Sequence, residues 1–464
     1  MTPGLPAGST PVPDEAAILA FAASLGGALL RPGDAGYDDA RRLFNGMIDR
    51  RPALIARCAT AGDVMKAVRF AREHALPVSV RGGGHNVAGN ALCDGGLTID
   101  LSPMKGIRVD PRVRTVRAQA GLTWRELDRE CQVFGLATTG GQISSTGIAG
   151  LTLGGGIGWL GRSYGLTCDN LLSADVVLAD GSFVTASAAE HADLFWGLRG
   201  GGGNFGVVTV FEYRLHPVGT ILGGMLLYPF DRARELLRLY REFSQAAPDA
   251  LAVYAVLLTA PDGSGPVVAL LVGYNGPLAQ GEALLRPLRA FGPPLADLTG
   301  PMPYEQLQTL LDEGFPFGLR NYWKSSFLAR LPDATIDSIV ERFAAVPSPL
   351  SAVVVEPLGG AYRRGGREET AFDHRDCAYN LLVLARWEDA ADDERQMRWA
   401  RDLWQAVQPA AAAGVYVNYL EAGQEGAARI RAAYGTSYDR LVALKNRYDP
   451  TNFFRGNQNI QPTA

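Results

Sequence analysis

Three glycine-rich stretches are the part of this sequence best suited to hold a charged ligand. They cover residues 81–90, 139–158 and 199–206 of a chain with 55 glycines in 464 residues. Glycine lets backbone N–H groups approach a ligand closely and adopt positive φ, which suits a pyrophosphate. One such stretch could be an ordinary loop or packing site. Three of them in one half of the chain predict a dinucleotide site.

The arrangement of these glycines favours FAD over other dinucleotides. Residues 154–158 do not keep the GxGxxG spacing, and they lie far from the first predicted β-α-β unit, where a nicotinamide fingerprint belongs. No GxxxxGK[ST] sequence occurs, which excludes a P-loop. We therefore predict FAD held in some other way.

Two residues with reactive side chains lie near these stretches. Taken singly, His85 is explained as a loop histidine and Cys168 as a small buried hydrophobe. Their surroundings, Arg-Gly-Gly-Gly-His at 81–85 and Tyr-Gly-Leu-Thr-Cys-Asp-Asn at 164–170, together resemble the berberine bridge enzyme-like branch of FAD-linked oxidases, in the group that includes vanillyl-alcohol oxidase. The resemblance implies that His85 bonds the flavin 8α-methyl carbon and that the sulfur of Cys168 bonds ring carbon 6.

The resemblance extends over nearly the whole chain. Its further matching segments are residues 32–37, 146–156, 193–196, 198–208 and 457–460. It implies a set of FAD contacts in the glycine-rich loops and the tail. These are Arg81, Gly82, Gly83, Gly84, His85, Asn86, Thr146, Gly147, Gly150, Gly154, Gly155, Gly158, Cys168, Gly206, Val207, Asn457 and Asn459.

The candidates for proton transfer are two tyrosines, a lysine and a glutamate. Residues 415–419, Val-Tyr-Val-Asn-Tyr, resemble a family strand whose tyrosine often removes the substrate hydroxyl proton. On a strand, Tyr416 and Tyr419 point to opposite faces, so Tyr416 is the expected base, unless both tyrosines only pack. Lys324 lies in a segment that resembles another wall of the site and could lower the pKa of Tyr416, although a solvated lysine is the alternative. Glu356 lies near the position where some family members carry an acidic partner.

The sequence departs from many relatives directly after Tyr419. Residues 420–422 are Leu-Glu-Ala, where an aspartate commonly follows in the family. The difference lies on the substrate side, so the resemblance does not name the substrate.

Several regular elements must position these residues. Strands at 53–56 and 77–80 around a helix at 60–74 predict a β-α-β unit that ends at the first glycine-rich loop. Apolar runs at 251–258 and 267–274 predict an antiparallel hairpin. Amphipathic helices are expected at 231–243 and 333–345, and a helix is expected at 429–447. The amide- and aromatic-rich tail after it is expected to return to the FAD site.

Together these features predict an α+β protein with the two-domain fold of the para-cresol methylhydroxylase-type FAD-binding proteins. We expect residues 1–218 to form the FAD-binding domain, completed by residues 420–464. Residues 219–419 are expected to form a substrate-binding domain built on an antiparallel sheet. A chain of 464 residues exceeds what a single core usually supports, which agrees with two domains.

Composition excludes several other classes of protein. The net charge of −4 gives no electrostatic basis for binding nucleic acid. The sequence contains no apolar run of about 18 residues, so no membrane span is predicted. The first residues lack the pattern of a secretion signal, so we expect a cytoplasmic protein. The five cysteines have no zinc-site spacing, so neither a metal site nor a disulfide scaffold is expected. No obligate protein partner is indicated.

The function expected from the resemblance is that of an oxidase. A small-molecule substrate, an alcohol, sugar hydroxyl or amine, would give a hydride to bicovalently bound FAD, and dioxygen would reoxidise the flavin with formation of hydrogen peroxide. Two alternatives remain open. The protein could be a dehydrogenase or oxidative cyclase that uses another acceptor, or a flavin-binding protein without catalytic activity.

Overall fold

The structure, a computed structural model, describes residues 13–260, 262–366, 368–421 and 426–463. The expectation about a secretion signal concerns mainly residues 1–12, which lie outside the described residues. So does Ala422 in the segment that departs from the family. In the described part, no helix is both long and apolar enough to cross a membrane.

The N-terminal region contains two larger sheets. In the described residues, the first has the strand order β1-β2-β4-β3, with β4 parallel to both of its neighbours. The predicted β-α-β unit therefore exists, but β4 lies between its two strands. The strands of this sheet are β1 (Ala28–Leu30), β2 (Leu54–Arg57), β3 (Val78–Arg81) and β4 (Leu97–Asp100).

The second sheet is antiparallel, with the order β5-β6-β10-β8-β9. A short pair, β7 with β11, lies beside it. These strands are β5 (Ile107–Asp110), β6 (Thr115–Gln119), β7 (Leu136–Ala137), β8 (Leu171–Val177), β9 (Phe183–Ser187), β10 (Val207–Arg214) and β11 (His216–Pro217).

The middle region forms an eight-stranded antiparallel sheet in the described residues. Its main path is β15-β12-β14-β13-β18-β19-β17, and β16 also pairs with β12. The predicted hairpin is β13 with β14, paired from Leu251↔Tyr274 to Thr259↔Pro266. The strands are β12 (Thr220–Pro229), β13 (Leu251–Thr259), β14 (Pro266–Tyr274), β15 (Ala296–Asp297), β16 (Gly300–Pro303), β17 (Arg320–Leu328), β18 (Ala352–Pro357) and β19 (Tyr379–Trp387).

Helices cover the sheets, and the prediction of an α+β fold is confirmed. Capping boxes start α3 at Thr60 and α4 at Thr123. The helices are α1 (Glu15–Ser24), α2 (Tyr37–Ala40), α3 (Ala61–Glu73), α4 (Trp124–Gln132), α5 (Ile148–Leu153), α6 (Gly161–Tyr164), α7 (Ala192–Leu198), α8 (Ala233–Ala246), α9 (Leu278–Arg289), α10 (Tyr304–Gln308), α11 (Asp333–Phe343), α12 (Asp393–Val407), α13 (Gly426–Tyr434) and α14 (Tyr438–Tyr448).

The expected single helix at 429–447 is in fact two helices. Gly435 has φ of +54°, a left-handed conformation that interrupts the α-helix, and the 3₁₀ turn Gly435–Ser437 separates α13 from α14. The interruption lets α14 pack against the N-terminal region, where Leu441 and Leu444 join its core.

The tail after α14 packs against the N-terminal region. Ile460 is fully buried in that core, and its N–H donates to Oδ1 of Asn204 at 3.0 Å. The buried ammonium of Lys445 donates to Asp449 and to the carbonyl oxygens of Asn204 and Phe454. The last residues are therefore part of the same packed body as residues 13–218.

Candidate active site

One cavity of about 910 Å³ lies between the glycine-rich loops and one face of the large sheet. Its volume is near the upper end of the range for small-molecule sites. One half is lined by backbone of the N-terminal region and the tail. The other half is lined by side chains of β13, β14, β18 and β19. The two halves have different chemistry.

The first half owes its open backbone to paired glycines. A Cβ on Gly83 would lie 2.4 Å from the backbone nitrogen of Gly147, and a Cβ on Gly147 would lie 2.4 Å from that of Gly83. Neither loop can carry a side chain at this crossing. Gly150 and Gly203 also line the cavity, and no protein atom lies within 4 Å of the Cβ that either residue could carry. The empty space beside these glycines forms a cradle for a ligand.

Backbone N–H groups dominate the polar character of this half. Among the described residues, no hydrogen bond is formed by the N–H groups of residues 83–86. Successive unpaired N–H groups form an anion-binding concavity. Among the described residues that line the cavity there is no lysine, and the one arginine, Arg386, extends from the large sheet. The cavity fits an FAD whose diphosphate is held by backbone rather than by basic side chains.

His85 lies at this cavity in a neutral form. Its ring stacks on Phe44 at 4.4 Å between centroids, its Nε2 lies 2.9 Å from Oγ of Ser145, and its Nδ1 lies 3.4 Å from Oγ1 of Thr146. Burial lowers the pKa of His85 to about 4. A neutral imidazole keeps a lone pair on one nitrogen, which is the form that can attack an electrophilic carbon.

Cys168, in contrast, does not line the cavity. The 3₁₀ turn Thr167–Asn170 directs its side chain into an apolar cluster with Ile157, Leu166 and Tyr416, where it is fully buried. Burial raises the pKa of the Cys168 thiol well above its ordinary value, which disfavours the nucleophilic thiolate. The structure therefore brings only His85, of the two expected attachment residues, to the cavity.

The remaining expected FAD contacts also divide into two groups. Those that line the cavity are Gly82, Gly83, Gly84, Asn86, Thr146, Gly147, Gly150, Gly206, Val207 and Asn457. Those that do not line it are Arg81, Gly154, Gly155, Gly158 and Asn459.

Four residues of the second group, Arg81 and the three glycines, contact other parts of the protein. The guanidinium of Arg81 lies 3.4 Å from Asp100, away from the cavity. A Cβ on Gly154 would overlap the side chain of Asn418, and one on Gly158 would overlap the carbonyl oxygen of Gly140. Glycine is required at these positions because other parts of the protein approach closely. The sequence cannot separate this cause from contact with a ligand.

The end of the chain closes the first half of the cavity. The side-chain amide of Asn204 donates to the carbonyl oxygens of Gly201 and Gln458, and Asn457 donates to the carbonyl oxygen of Gly203. Oδ1 of Asn457 is buried without a hydrogen-bond partner, although the residue lines the cavity. An unsatisfied acceptor at this wall fits a ligand that donates a hydrogen bond.

The two candidate tyrosines exchange their expected positions. Residues 417–419 form a 3₁₀ turn rather than a strand, so the face assignment made from strand alternation was wrong. The hydroxyl oxygen of Tyr416 accepts from the N–H of Gly156 at 2.9 Å and from Asn418 at 2.8 Å, and Tyr416 does not line the cavity. Tyr419 lines it, with its ring 5.7 Å from that of Trp323.

Glu356 is the carboxyl group that meets Tyr419 in the cavity. It is fully buried, accepts from Tyr419 at 3.2 Å and accepts from the side-chain amide of Asn380 at 2.5 Å. Burial raises the pKa of Glu356, while these hydrogen bonds oppose the shift. Burial also raises the pKa of Tyr419 well above its ordinary value, so its phenol stays protonated near neutral pH.

Lys324 lies on the other face of the large sheet. Trp323 lines the cavity, and side chains alternate along β17, so Lys324 points away from it. The ammonium of Lys324 lies 3.5 Å from Glu421 and over the rings of Tyr322 and Trp404. It cannot lower the pKa of Tyr416, and burial in fact raises that pKa.

Sequence reasoning missed three residues of this site. Asn204 lies within the matched segment 198–208, and that position was the available signal. Trp323 directly precedes the lysine that was chosen. Arg386 carried no signal, because one arginine in an apolar strand does not show which face of the sheet it occupies.

Comparisons with known proteins agree with this geometry. Residues 52–187 match the family described as FAD binding domain, and residues 415–461 match the family described as berberine and berberine like. An FAD-linked oxidoreductase of Dictyostelium discoideum is 34% identical over 95% of this chain and 96% of its own length. The (R)-6-hydroxynicotine oxidase of Paenarthrobacter nicotinovorans is 35% identical over 96% of this chain and 98% of its own length.

Solved structures give the same result at the level of the fold. The 6-hydroxy-D-nicotine oxidase of Arthrobacter nicotinovorans superposes with a TM-score of 0.86 at 32% identity, over 94% of this chain and 98% of the other. A chitooligosaccharide oxidase superposes with a TM-score of 0.87 at 24% identity, over 97% of this chain and all of the other. At that identity the second comparison shows the fold alone.

Proposed function

This chain belongs to the berberine bridge enzyme-like family of FAD-linked oxidoreductases, and we propose that it is an oxidase that acts on an alcohol, sugar hydroxyl or amine. The observation that carries the proposal is the arrangement of one cavity. Unpaired N–H groups and a neutral histidine line one half, and Glu356 with Tyr419 lines the other.

We propose that the N–H groups of residues 83–86 hold the FAD diphosphate and that His85 forms the covalent attachment. Attachment through this residue alone is proposed, because Cys168 lies outside the cavity. Bound FAD supplies the hydride acceptor, and dioxygen is the proposed final oxidant. The overall reaction converts the donor and dioxygen to the carbonyl or imine product and hydrogen peroxide, so atoms and electrons balance.

Glu356 is the proposed catalytic base. The substrate must lose a hydroxyl or ammonium proton as its carbon loses the hydride, and a buried carboxylate within the cavity can accept that proton. Tyr419 donates a hydrogen bond to Glu356 and so fixes its orientation. The hydroxyl of Tyr416 is committed to Gly156 and Asn418, which supports a structural role for that residue.

The division into two functional domains belongs to the same proposal. Residues 1–218 with 420–464 would bind the cofactor, and residues 219–419 would bind the substrate. The cavity supports this division, since the loops of residues 82–86 and 146–150 line one half and the large sheet lines the other.

The decisive experiment is a donor screen with purified holoenzyme. Alcohols, sugars and cyclic amines are mixed with the protein without oxygen while flavin absorbance is followed, and active donors are then tested in an oxygen electrode. We expect bleaching, followed by one hydrogen peroxide per donor oxidised. Bleaching with reoxidation by a dye but not by dioxygen would favour the dehydrogenase alternative. Absence of bleaching with every donor would favour the flavin-binding protein without activity.

A further inference from the structure

One buried cation, among the residues that the structure describes, lies in the apolar half of the cavity. Arg386 is on β19, where it shares a face with Leu382 and Leu384, and all three line the cavity. It is 7% exposed. Among the described residues that line the cavity, it is the only lysine or arginine.

In the described part of the chain, Arg386 forms no ion pair with a carboxylate. Its guanidinium donates to the carbonyl oxygen of Gly314 and lies 4.1 Å from the ring centroid of Phe315, while Nε is buried without a hydrogen-bond partner. Glu313 also lines the cavity, but it is exposed and not within ion-pair distance.

A buried unpaired cation is costly for a folded protein. Burial lowers the pKa of Arg386 to about 10, so the group is still charged at neutral pH. Apolar residues surround it on the sheet, and a neutral side chain would fit the same position at lower cost. The position is therefore better explained by a ligand that supplies the missing negative charge.

The strand register places Arg386 far from the proposed catalytic base. Glu356 pairs with Asn380 across β18 and β19, and Arg386 follows six residues later on the same strand. Six residues of strand span about 20 Å. The interval is lined by Ala352, Val354, Leu382 and Leu384. The cavity thus has a carboxyl group and a cation separated by an apolar surface.

We propose that Arg386 binds a carboxylate of the substrate, so that the substrate is an elongated apolar acid oxidised at the end remote from its carboxylate. The proposal rests on the proposed oxidase function, since that function places the reacting carbon near Glu356. A guanidinium can bind a carboxylate through two parallel hydrogen bonds, and the apolar surface between the two groups would contact the hydrocarbon part of the molecule.

The test compares an acid with its neutral analogue. Phenyloctanoate and phenyloctanamide are titrated into holoenzyme by calorimetry at low ionic strength. We expect the acid to bind at least about tenfold more tightly, because its charge pairs with a desolvated arginine. We expect this preference to fall to about one in Arg386→Gln and to be partly retained in Arg386→Lys, which keeps the charge but loses the planar fork.

Arg108→Gln serves as the matched control, because Arg108 is an exposed arginine on β5 and should leave the preference unchanged. Melting temperatures accompany each titration. If Arg386→Gln does not fold, the comparison is made between the native protein and Arg386→Lys, and an equal preference for acid in both would overturn bidentate binding by Arg386.

Two outcomes separate this proposal from the oxidase proposal. Equal binding of acid and amide to the native protein, or an acid preference that survives in Arg386→Gln, overturns the role of Arg386 even if neutral donors are oxidised. An acid preference that depends on Arg386, in a protein that oxidises no donor, supports the anion site and overturns the oxidase function instead.

Discussion

The two halves of the cavity recognise their ligands by different means. The half formed by the N-terminal region uses backbone N–H groups exposed by glycines, with the unsatisfied amide acceptor of Asn457 beside them. The half formed by the large sheet uses side chains, and among the described residues its charged groups are Glu356 and Arg386, with the exposed Glu313 on a nearby turn. A site built from backbone leaves a pattern in the sequence, because close approaches such as that of Gly83 to Gly147 require glycine. A site built from alternating side chains leaves almost none.

The largest effect is expected where the backbone half forms its proposed covalent bond. In His85→Ala, we expect acid precipitation to release all flavin, whereas native protein and Cys168→Ala should both remain yellow after the same treatment. The reason is that only His85 reaches the cavity. Intact mass gives the second measurement. Flavin that stays with the precipitated His85→Ala protein, held through Cys168, would contradict single attachment.

The side-chain half is tested at its carboxyl group. Glu356→Gln keeps the size of the side chain and removes the proposed base, so we expect anaerobic flavin reduction to slow by roughly 10²–10⁴-fold. In the native protein the rate should fall as pH drops through the raised pKa of Glu356. Tyr416→Phe, a control that changes a buried side chain outside the cavity, should retain most of the rate. The opposite ranking would return the base to Tyr416.

Sequence patterns predict only part of this site. The glycine loops, His85 and the family were predicted, because each depends on a local motif. Cys168 was assigned from its neighbours in the chain, but a single 3₁₀ turn directs its side chain inward. Tyr416 and Tyr419 were ordered by strand alternation, which a turn does not obey. Arg386 could be recognised only after the pairing of β18 with β19 fixed which residues share a face.

A third prediction concerns the crossing of the glycine loops. Gly83→Ala places a methyl group 2.4 Å from the backbone of Gly147, and neither chain can move without disturbing the cradle. We expect a loss of about 1–3 kcal/mol in unfolding free energy from overpacking. Gly150→Ala, where the added methyl group meets open space, should keep the melting temperature of the flavin-free protein but lower flavin occupancy. Equal stability losses in the two variants would contradict this difference.

The last effect is expected where the two regions contact each other. Asp128 of α4 is fully buried and accepts from Gln308 of α10 at 2.7 Å. Burial raises its pKa to about 7, whereas the unfolded value is about 3.9. Because the pKa is raised in the folded state, protonated Asp128 contributes its full stabilisation below about pH 4. This contribution to the unfolding free energy is lost as pH rises through about 7.

Asp128→Asn should therefore match the native protein in urea at pH 4 and exceed its unfolding free energy at pH 8, by at most about 4 kcal/mol. The amide oxygen can still accept from Gln308, so the contact between the regions is kept. If the unfolding free energies of the two proteins change with pH in parallel, the ionisation of Asp128 does not destabilise the folded protein.

The contact between Asn204 and the tail also sets the order of events during synthesis. The N–H of Ile460 that bonds Asn204 lies 256 residues further along the chain. At about 5–20 residues per second, a ribosome needs on the order of 10–50 s to cover this distance. During that interval the nascent N-terminal region has its glycine loops but lacks the wall formed by the tail. A ligand that needs this wall can therefore be enclosed only after the last residues have been made.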